Sequence, residues 1–332
     1  MLLSSRLLIS NASAFIAVES PRATRHVRRT IRRSDLGVCA LHFSTSSRLD
    51  YVHGYHAGNY ADVVKHSILI LLLESMKRKD SPFVYVDTHA GAGSYPLDSS
   101  EALQMKEFQG GIGRVLAAET PLPDPLSKLV DMTMKEGDNK SLIYPGSPWV
   151  ARELSRSQDT MLLFERAPDQ FDRLCDVLEH NNDNDENDDA AIHQTTLRMA
   201  DGYEGLADYA RNTRHLPRAL VFIDPPYQFG SDTNQIARLV KHLQHHWKSA
   251  RVAIWYPASD ALQPKTERLL SALKKAVSGD VLGVELYPSD AVGTGMILVN
   301  PPYGIEDDLQ SCMSQLGNIL RDDQPTYRMM RL

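Results

Sequence analysis

Five apolar residues at 219–223, Ala-Leu-Val-Phe-Ile, run straight into Asp224-Pro225-Pro226-Tyr227, and this junction constrains the fold more than any other stretch of the chain. The apolar run has the length and composition of a strand buried on both faces, as found in parallel sheets. Pro225 and Pro226 have no N–H to extend a sheet ladder, and Pro225 also keeps Asp224 out of the helical region. The strand must therefore end at Ile223 and leave a carboxylate on a stiff turn. Such a turn suits a flat amine: Asp224 and the Pro225 carbonyl can each accept one hydrogen of an exocyclic amino group while Tyr227 stacks on the ring. The alternative is an ordinary exit from strand to loop.

Six more short apolar runs, at 83–87, 161–165, 195–199, 251–256, 281–286 and 296–300, are separated mostly by segments of helical length. Seven strands alternating with helices imply an α/β fold with a mostly parallel, doubly wound sheet. Residues 57–79 read as an amphipathic helix with Ala61, Val64, Ile68, Leu71 and Leu72 on its apolar face and a basic C-terminal end that suits its dipole. No strand pattern interrupts residues 96–140, where 101–109 and 125–135 look helical, so a small helical insertion is expected there. Ser147, after Tyr144-Pro145-Gly146, is the expected N-cap of a helix at 148–155.

The first 48 residues have a different composition. They hold eight arginines against only Glu19 and Asp35, interleaved with Ser, Ala and Leu, and a serine-rich stretch lies at 44–47. This is transit-peptide composition, expected to be disordered, and import into the mitochondrial matrix is favoured over the plastid stroma. A basic arm that binds nucleic acid is the other reading. Without this segment 28 basic residues face 40 acidic ones, a net charge near −12. Five of those acids fall in the polar run 181–189, expected to be a solvated, disordered loop. Any nucleic-acid contact must then come from a local basic face, for which Lys65, Lys77, Arg78 and Lys79 are candidates.

Cys39, Cys175 and Cys312 form neither a CxxC nor a zinc spacing, and the longest apolar run, 68–73, is too short to span a bilayer. Neither a structural metal nor a membrane segment is expected. His53 and His56 have no third ligand at an obvious spacing, so loop or cap roles are favoured over a zinc site.

In an open α/β sheet, ligands bind beyond the carboxyl ends of the strands near the switch point. Four strand ends here carry suitable groups. His89, Gly91 and Gly93 follow the strand at 83–87; Glu165 ends the next and can accept both hydroxyls of a ribose. Asp201-Gly202 follows the third and can bond an adenine amino group, and Asp224 ends the fourth. Together they describe a pocket for S-adenosylmethionine with a base-amine acceptor beside it. Asn300-Pro301-Pro302-Tyr303 repeats the Asp224 pattern after the seventh strand and reads as a structural turn.

The Asp/Asn-Pro-Pro-aromatic pattern resembles the motif of amino-group methyltransferases. YVHGYHAGNYADVVKH at 51–66, DTHAGAG, YPGSPWVAREL, Glu165, Asp201-Gly202, IDPPY, WYP and GMILVNPPY together resemble the RlmJ family of large-subunit rRNA adenine-N6 methyltransferases over essentially all of 49–332. The resemblance implies a Rossmann-like class I methyltransferase domain using S-adenosylmethionine. It further implies that His66, His89, Ser147, Glu165, Asp201 and Gly202 contact the methyl donor, that Asp224 is the catalytic acceptor, and that Tyr51 touches the RNA. Val52, Gly54 and the acidic insertion near Asp185 depart from the family pattern and bear on RNA contacts. Read from its own surroundings, His66 fits a core histidine as well as a ligand. The expected partner is large-subunit rRNA, free of protein or in an early assembly intermediate, met by a monomer. A DNA-adenine or protein-glutamine methyltransferase, or a non-enzymatic assembly factor on the same fold, are the alternatives.

Overall fold

The computed structural model describes residues 16–18, 52–134, 141–180, 194–227, 232–259, 263–289, 292–321 and 326–332. Tyr51, the acidic run 181–189 and all of the N-terminal 48 residues except 16–18 lie outside them. In chain order the elements begin with β1 (Ile16–Val18), a 3-10 turn at His53–Tyr55 and α1 (Tyr60–Lys77), followed by β2 (Phe83–Asp87) and β3 (Ser94–Pro96). Next come α2 (Ser100–Met105), α3 (Ile112–Leu116) and α4 (Asp124–Met134), then β4 (Ile143–Pro145), α5 (Ser147–Leu154) and β5 (Thr160–Glu165). The chain continues with α6 (Pro168–His180), β6 (Gln194–Met199), α7 (Gly202–Asn212), β7 (Arg218–Ile223), α8 (Asp232–His246) and β8 (Ala250–Ser259). It closes with α9 (Gln263–Ala276), β9 (Val281–Ser289), β10 (Val292–Val299), α10 (Ile305–Leu320) and β11 (Thr326–Arg331).

The main sheet has nine strands in the order β1-β6-β5-β2-β7-β8-β10-β9-β11, two more than the seven expected. The extra strands are its edges: β1 pairs in parallel with β6, and β11 pairs antiparallel with β9. From β1 to β8 every pairing is parallel, whereas β10 runs against both β8 and β9. The chain moves outward from β2 to β5 and β6, then returns to place β7 on the other side of β2, so the switch point lies between β2 and β7.

The central strands are buried on both faces, and alternate residues feed two cores. Leu220 and Phe222 of β7 join the side packed by α1, α4, α5, α6 and α10, while Ala219, Val221 and Ile223 join the side packed by α7, α8 and α9. Helix α1 departs from the expected single apolar stripe. It packs against α4, α5, α10 and the sheet, so Val63, Leu69 and Ile70 are buried along with the polar Asp62, Lys65 and His66. Lys65 is therefore no part of a basic surface. Of its proposed neighbours, Lys77 pairs with Glu74 and Arg78 with Asp308.

The start of α1 accounts for much of the HAGNxAD pattern. Gly58 sits at φ +75°, a conformation that favours glycine, and Asn59 caps the helix by accepting the Asp62 N–H at 3.0 Å. The Asp62 carboxylate reaches back to accept the Gly58 N–H at 2.8 Å. At α5 the expected cap is displaced by one residue: Gly146 is the N-cap and Ser147 the first helical residue. The Ser147 hydroxyl is engaged elsewhere, as described below.

Candidate active site

The carboxyl ends of β6, β5, β2 and β7 lie side by side, which brings Asp201, Glu165, the glycine loop after β2 and Asp224 along one edge of the sheet. The loop is tied to both neighbours, since the Thr88 N–H donates to the Phe222 carbonyl at 3.1 Å and the Ala90 N–H to that of Phe164 at 2.9 Å. The two junctions hold the loop across the switch point.

Beneath the loop lies Asp87, fully buried. Its Oδ2 accepts from the Tyr85 hydroxyl at 2.8 Å and from the Ser147 hydroxyl at 2.7 Å, and its Oδ1 accepts the His89 N–H at 3.0 Å. Burial pushes this carboxyl up to about 6 against the pull of those three hydrogen bonds. Ser147 thus binds Asp87 instead of capping α5. Above it, Gly91 at φ +62° and Gly93 at φ +81° turn the chain, and a Cβ at Gly91 would stand 2.3 Å from the Tyr95 hydroxyl.

Glu165 ends β5 with one oxygen accepting the Gly91 N–H at 2.9 Å and the other accepting the Ala167 N–H at 2.7 Å. It therefore joins the loop after β2 to the start of α6, and burial raises its carboxyl. Asp201 caps α7, its Oδ1 accepting from Tyr203 N at 2.9 Å and Glu204 N at 3.2 Å. A Cβ at Gly202 would come within 2.0 Å of the Thr88 carbonyl oxygen, so only glycine lets α7 approach β2 this closely. The His89 ring meets the Tyr203 ring edge-on at 5.0 Å, and burial holds the imidazole down at about 4.

On the other side of the switch point, Asp224 projects from the end of β7 and forms an ion pair with Lys65 of α1. The same ammonium lies 2.7 Å from Asp62 Oδ1 and 5.6 Å from the centre of the Trp255 ring. Asp62 also takes His53 Nε2 at 3.0 Å. Burial alone would raise the Asp62 carboxyl, but His53 and Lys65 beside it hold it well below the usual carboxylate range. Tyr227 adopts φ +53° and anchors its hydroxyl to the Trp255 carbonyl at 2.8 Å, so its ring position is fixed by β8. Sequence reasoning assigned Lys65 to a surface and gave no role to Asp62, Asp87 or Trp255. The signal available for Asp62 and Lys65 was their i,i+3 spacing on α1.

His66, next on α1, lies within electrostatic reach of the same Lys65, Asp62 and His53. It is 2 % exposed, shares a hydrogen bond between Nδ1 and the Tyr144 hydroxyl at 2.9 Å, and is held down at about 3 by burial. That hydrogen bond satisfies Nδ1 within the core. His56 interacts with Glu107 at 3.0 Å. The second Pro-Pro turn is remote by polarity: β10 runs antiparallel to β8, with Val299 opposite Val252, so Asn300 emerges at the end of the sheet where the parallel strands begin. There its side-chain amide donates to the Ala250 carbonyl at 2.9 Å.

The family model for ribosomal RNA large subunit methyltransferase D, RlmJ, matches residues 80–330. The chain is 34 % identical over 281 residues to ribosomal RNA large subunit methyltransferase J of Haemophilus influenzae, covering 82 % of this chain and 94 % of that protein. It is 32 % identical over 279 residues to the Escherichia coli protein of the same name, with the same coverage. A crystal structure of a protein from Legionella pneumophila, 27 % identical, aligns with a TM-score of 0.70 over 83 % of this chain and 98 % of that one. On the sequence and the shared fold together, this chain belongs to the RlmJ family of ribosomal RNA large subunit methyltransferases.

Proposed function

We propose that this enzyme methylates the exocyclic amino group of an unpaired or flipped-out adenine in large-subunit ribosomal RNA, with S-adenosylmethionine as donor. The observation that carries the reading is Asp224: a carboxylate at the switch point, on a turn fixed by two prolines, with the Tyr227 ring beside it. The residues on the donor side fit that molecule. Glycines at positive φ leave backbone open for close approach, and Glu165 keeps unshared electron pairs on both oxygens for ribose hydroxyls while its N–H partners fix its direction.

An adenine amino nitrogen is a poor nucleophile because its lone pair is delocalised into the ring. Asp224 and the Pro225 carbonyl, each accepting one amino hydrogen, favour a more tetrahedral nitrogen and aim its lone pair for in-line displacement. Lys65 occupies Asp224 Oδ2, which directs the amino hydrogen to Oδ1. As the methyl–sulfur bond breaks and the neutral thioether S-adenosylhomocysteine leaves, Asp224 stabilises the positive charge that develops on the nitrogen, which then releases one of its protons to solvent. Bound in this pocket, S-adenosylmethionine supplies an electrophilic methyl group on its sulfonium. Stacking on Tyr227 offsets roughly 1–3 kcal/mol of the cost of extruding the base. No covalent enzyme intermediate is required.

Tyr51, outside the described residues, is proposed to contact the RNA, and residues 1–48 to direct the protein to the mitochondrial matrix. A reporter fused to 1–48 that stays in the cytosol or enters plastids would refute the second proposal. The chemistry is tested by incubating the protein with labelled S-adenosylmethionine and deproteinised large-subunit rRNA fragments, duplex DNA or release-factor protein. Label recovered as N6-methyladenosine from rRNA alone is the expected result, and label on DNA or glutamine would replace this reading with one of the alternatives.

A further inference from the structure

Asp232, the first residue of α8, has no part in the chemistry described so far. It is 6 % exposed, and its Oδ1 accepts a hydrogen bond from the Tyr203 hydroxyl at 3.3 Å, while its Oδ2 is buried without a hydrogen-bond partner among the described residues. A carboxylate in the first turn of a helix favours the helix dipole, but it does so equally well in water. Burying one oxygen without a partner is costly, and such an atom in a native fold calls for an explanation.

The surroundings of Asp232 belong to the donor side of the site. Tyr203 follows directly on Asp201-Gly202 and packs against His89, so Asp232 is linked through one tyrosine to the loops after both β6 and β2. Arg166, next to Glu165, and Asp201 both lie within electrostatic reach of it. Asp201, expected from the sequence to bond an adenine amino group, spends Oδ1 on two backbone N–H groups of α7 and has only its other oxygen for one amino hydrogen, so Asp232 Oδ2 is a candidate acceptor for the second.

We infer that Asp232 is a further binding residue whose Oδ2 accepts a hydrogen from the amino group of an adenine, and that this is the adenine of the methyl donor. The inference rests on the methyl-transfer reading and deepens it. Tyr227 also lies within electrostatic reach of Asp232, which makes the target adenine the rival source of the same amino group. Asp224 and Pro225 already take both hydrogens of the target amine, so the donor is the source left for Asp232. The carboxyl is held above its ordinary value by burial, and an uncharged carboxyl still presents an acceptor oxygen.

The test is calorimetry of the full-length protein with S-adenosylhomocysteine and with S-inosylhomocysteine, in which the amino group is replaced by an oxo group. Wild type should prefer the adenine form by about tenfold or more, the value of one hydrogen bond to a carboxylate. Asp232→Ala should bring the ratio close to one. Asp232→Asn, which keeps the side-chain volume, should also narrow it, because its amide can turn an N–H toward the oxo group. An unchanged ratio in a folded Asp232→Asn protein overturns the inference. So does a variant that keeps this ratio but loses discrimination between adenine and unsubstituted purine at the target position of an RNA fragment, which would assign Asp232 to the target base. Wild type that binds neither homocysteine compound would instead overturn the methyl-transfer reading on which the inference stands.

Discussion

Lys65 in the middle of α1 and Asp224 on the turn after β7, 159 positions apart in the chain, form an ion pair whose other arm is Asp62. The ammonium therefore bridges two carboxylates, one fixed by the start of α1 and one aimed at the site. Replacing it with Met, similar in length and uncharged, leaves two carboxylates facing each other in a largely buried space. We expect Lys65→Met to lower stability by on the order of 3 kcal/mol, the scale for removing one partner of a buried pair. Turnover should fall more than donor affinity does. Urea denaturation reads the first effect and single-turnover kinetics the second; Lys65→Met/Asp224→Asn should recover part of the stability but none of the activity.

Asp224→Ala should abolish methyl transfer while preserving the fold, whereas Asn300→Ala should leave turnover within about threefold of wild type, a barrier change below about 1 kcal/mol. The comparison isolates position from motif, because both residues precede Pro-Pro-Tyr. Transfer assays on one rRNA fragment, with circular dichroism as the fold check, decide it. An active Asp224→Ala protein would remove the proposed acceptor.

Gly202→Ala places a methyl group where the Thr88 carbonyl already stands, 2.0 Å away. Either α7 or the loop after β2 must shift, and a loss of about 2–3 kcal/mol is expected from the overpacking. Gly110, where an added methyl group would meet nothing within 4 Å, is the control: Gly110→Ala should be neutral or stabilise by up to about 1 kcal/mol. Thermal melts of the two variants give the comparison.

The imidazoles of buried His66 and half-buried His89 are expected to make the protein acid-sensitive. His66 and His89 are held at about 3 and about 4, below the ordinary 6.5, so in the native state they stay neutral where an unfolded chain takes up protons. Their contribution is complete above pH 6.5 and is lost as pH falls toward those values. Asp87, raised to about 6 from 3.8, acts in the opposite sense: the native state holds its proton longer, so its contribution is greatest below pH 3.8 and declines as pH rises to about 6. With His66 and His89 outweighing Asp87 and the likewise raised Glu165 and Asp232, unfolding free energy measured by urea should be lower at pH 5 than at pH 7. Asp87→Asn should steepen that fall by removing one opposing contribution. Imidazole NMR signals of His66 and His89 should remain those of neutral rings at pH 5.5.

Glu165→Gln keeps an oxygen for one of its two backbone partners and gives up the other. Its effect should fall on donor affinity, weakened by about 1.5–3 kcal/mol as a charge-assisted bond is lost, with little change in turnover at saturation. Calorimetry with S-adenosylmethionine checks the affinity, and an unchanged value would restrict Glu165 to tying the loop after β2 to α6.

The seven strands legible in the sequence are those whose apolar runs end in a sharp polar or proline turn; β7, stopped by Pro225 and Pro226, is the clearest. The strands that escaped notice have no such contrast. β1, β3 and β4 have three residues each, and β11, Thr-Tyr-Arg-Met-Met-Arg, is an edge strand with a mixed pattern. The placement of single residues was legible where a carboxylate ends or follows a strand, as at Glu165 and Asp224. It was hidden where a polar group sits inside a helix: Asp62 and Lys65 look like solvent-facing residues until α4, α5 and α10 are packed around them. Ser147 was misjudged because a serine before Pro-Trp has the local signature of a cap, while its true partner, Asp87, lies 60 positions away.

The reversal of direction at β10 divides the labour of the sheet. Strands laid down in one sense send all their closing turns to the same rim, where a ligand can be read by several at once; a strand laid down in the other sense delivers its turn to the opposite rim. Asn300-Pro301-Pro302-Tyr303 thus carries the same spelling as the turn proposed to react and faces away from it, with Tyr303 fully exposed. A motif search along the chain finds two addresses, and only the direction of travel through the sheet tells which one shares a rim with Glu165 and Asp201.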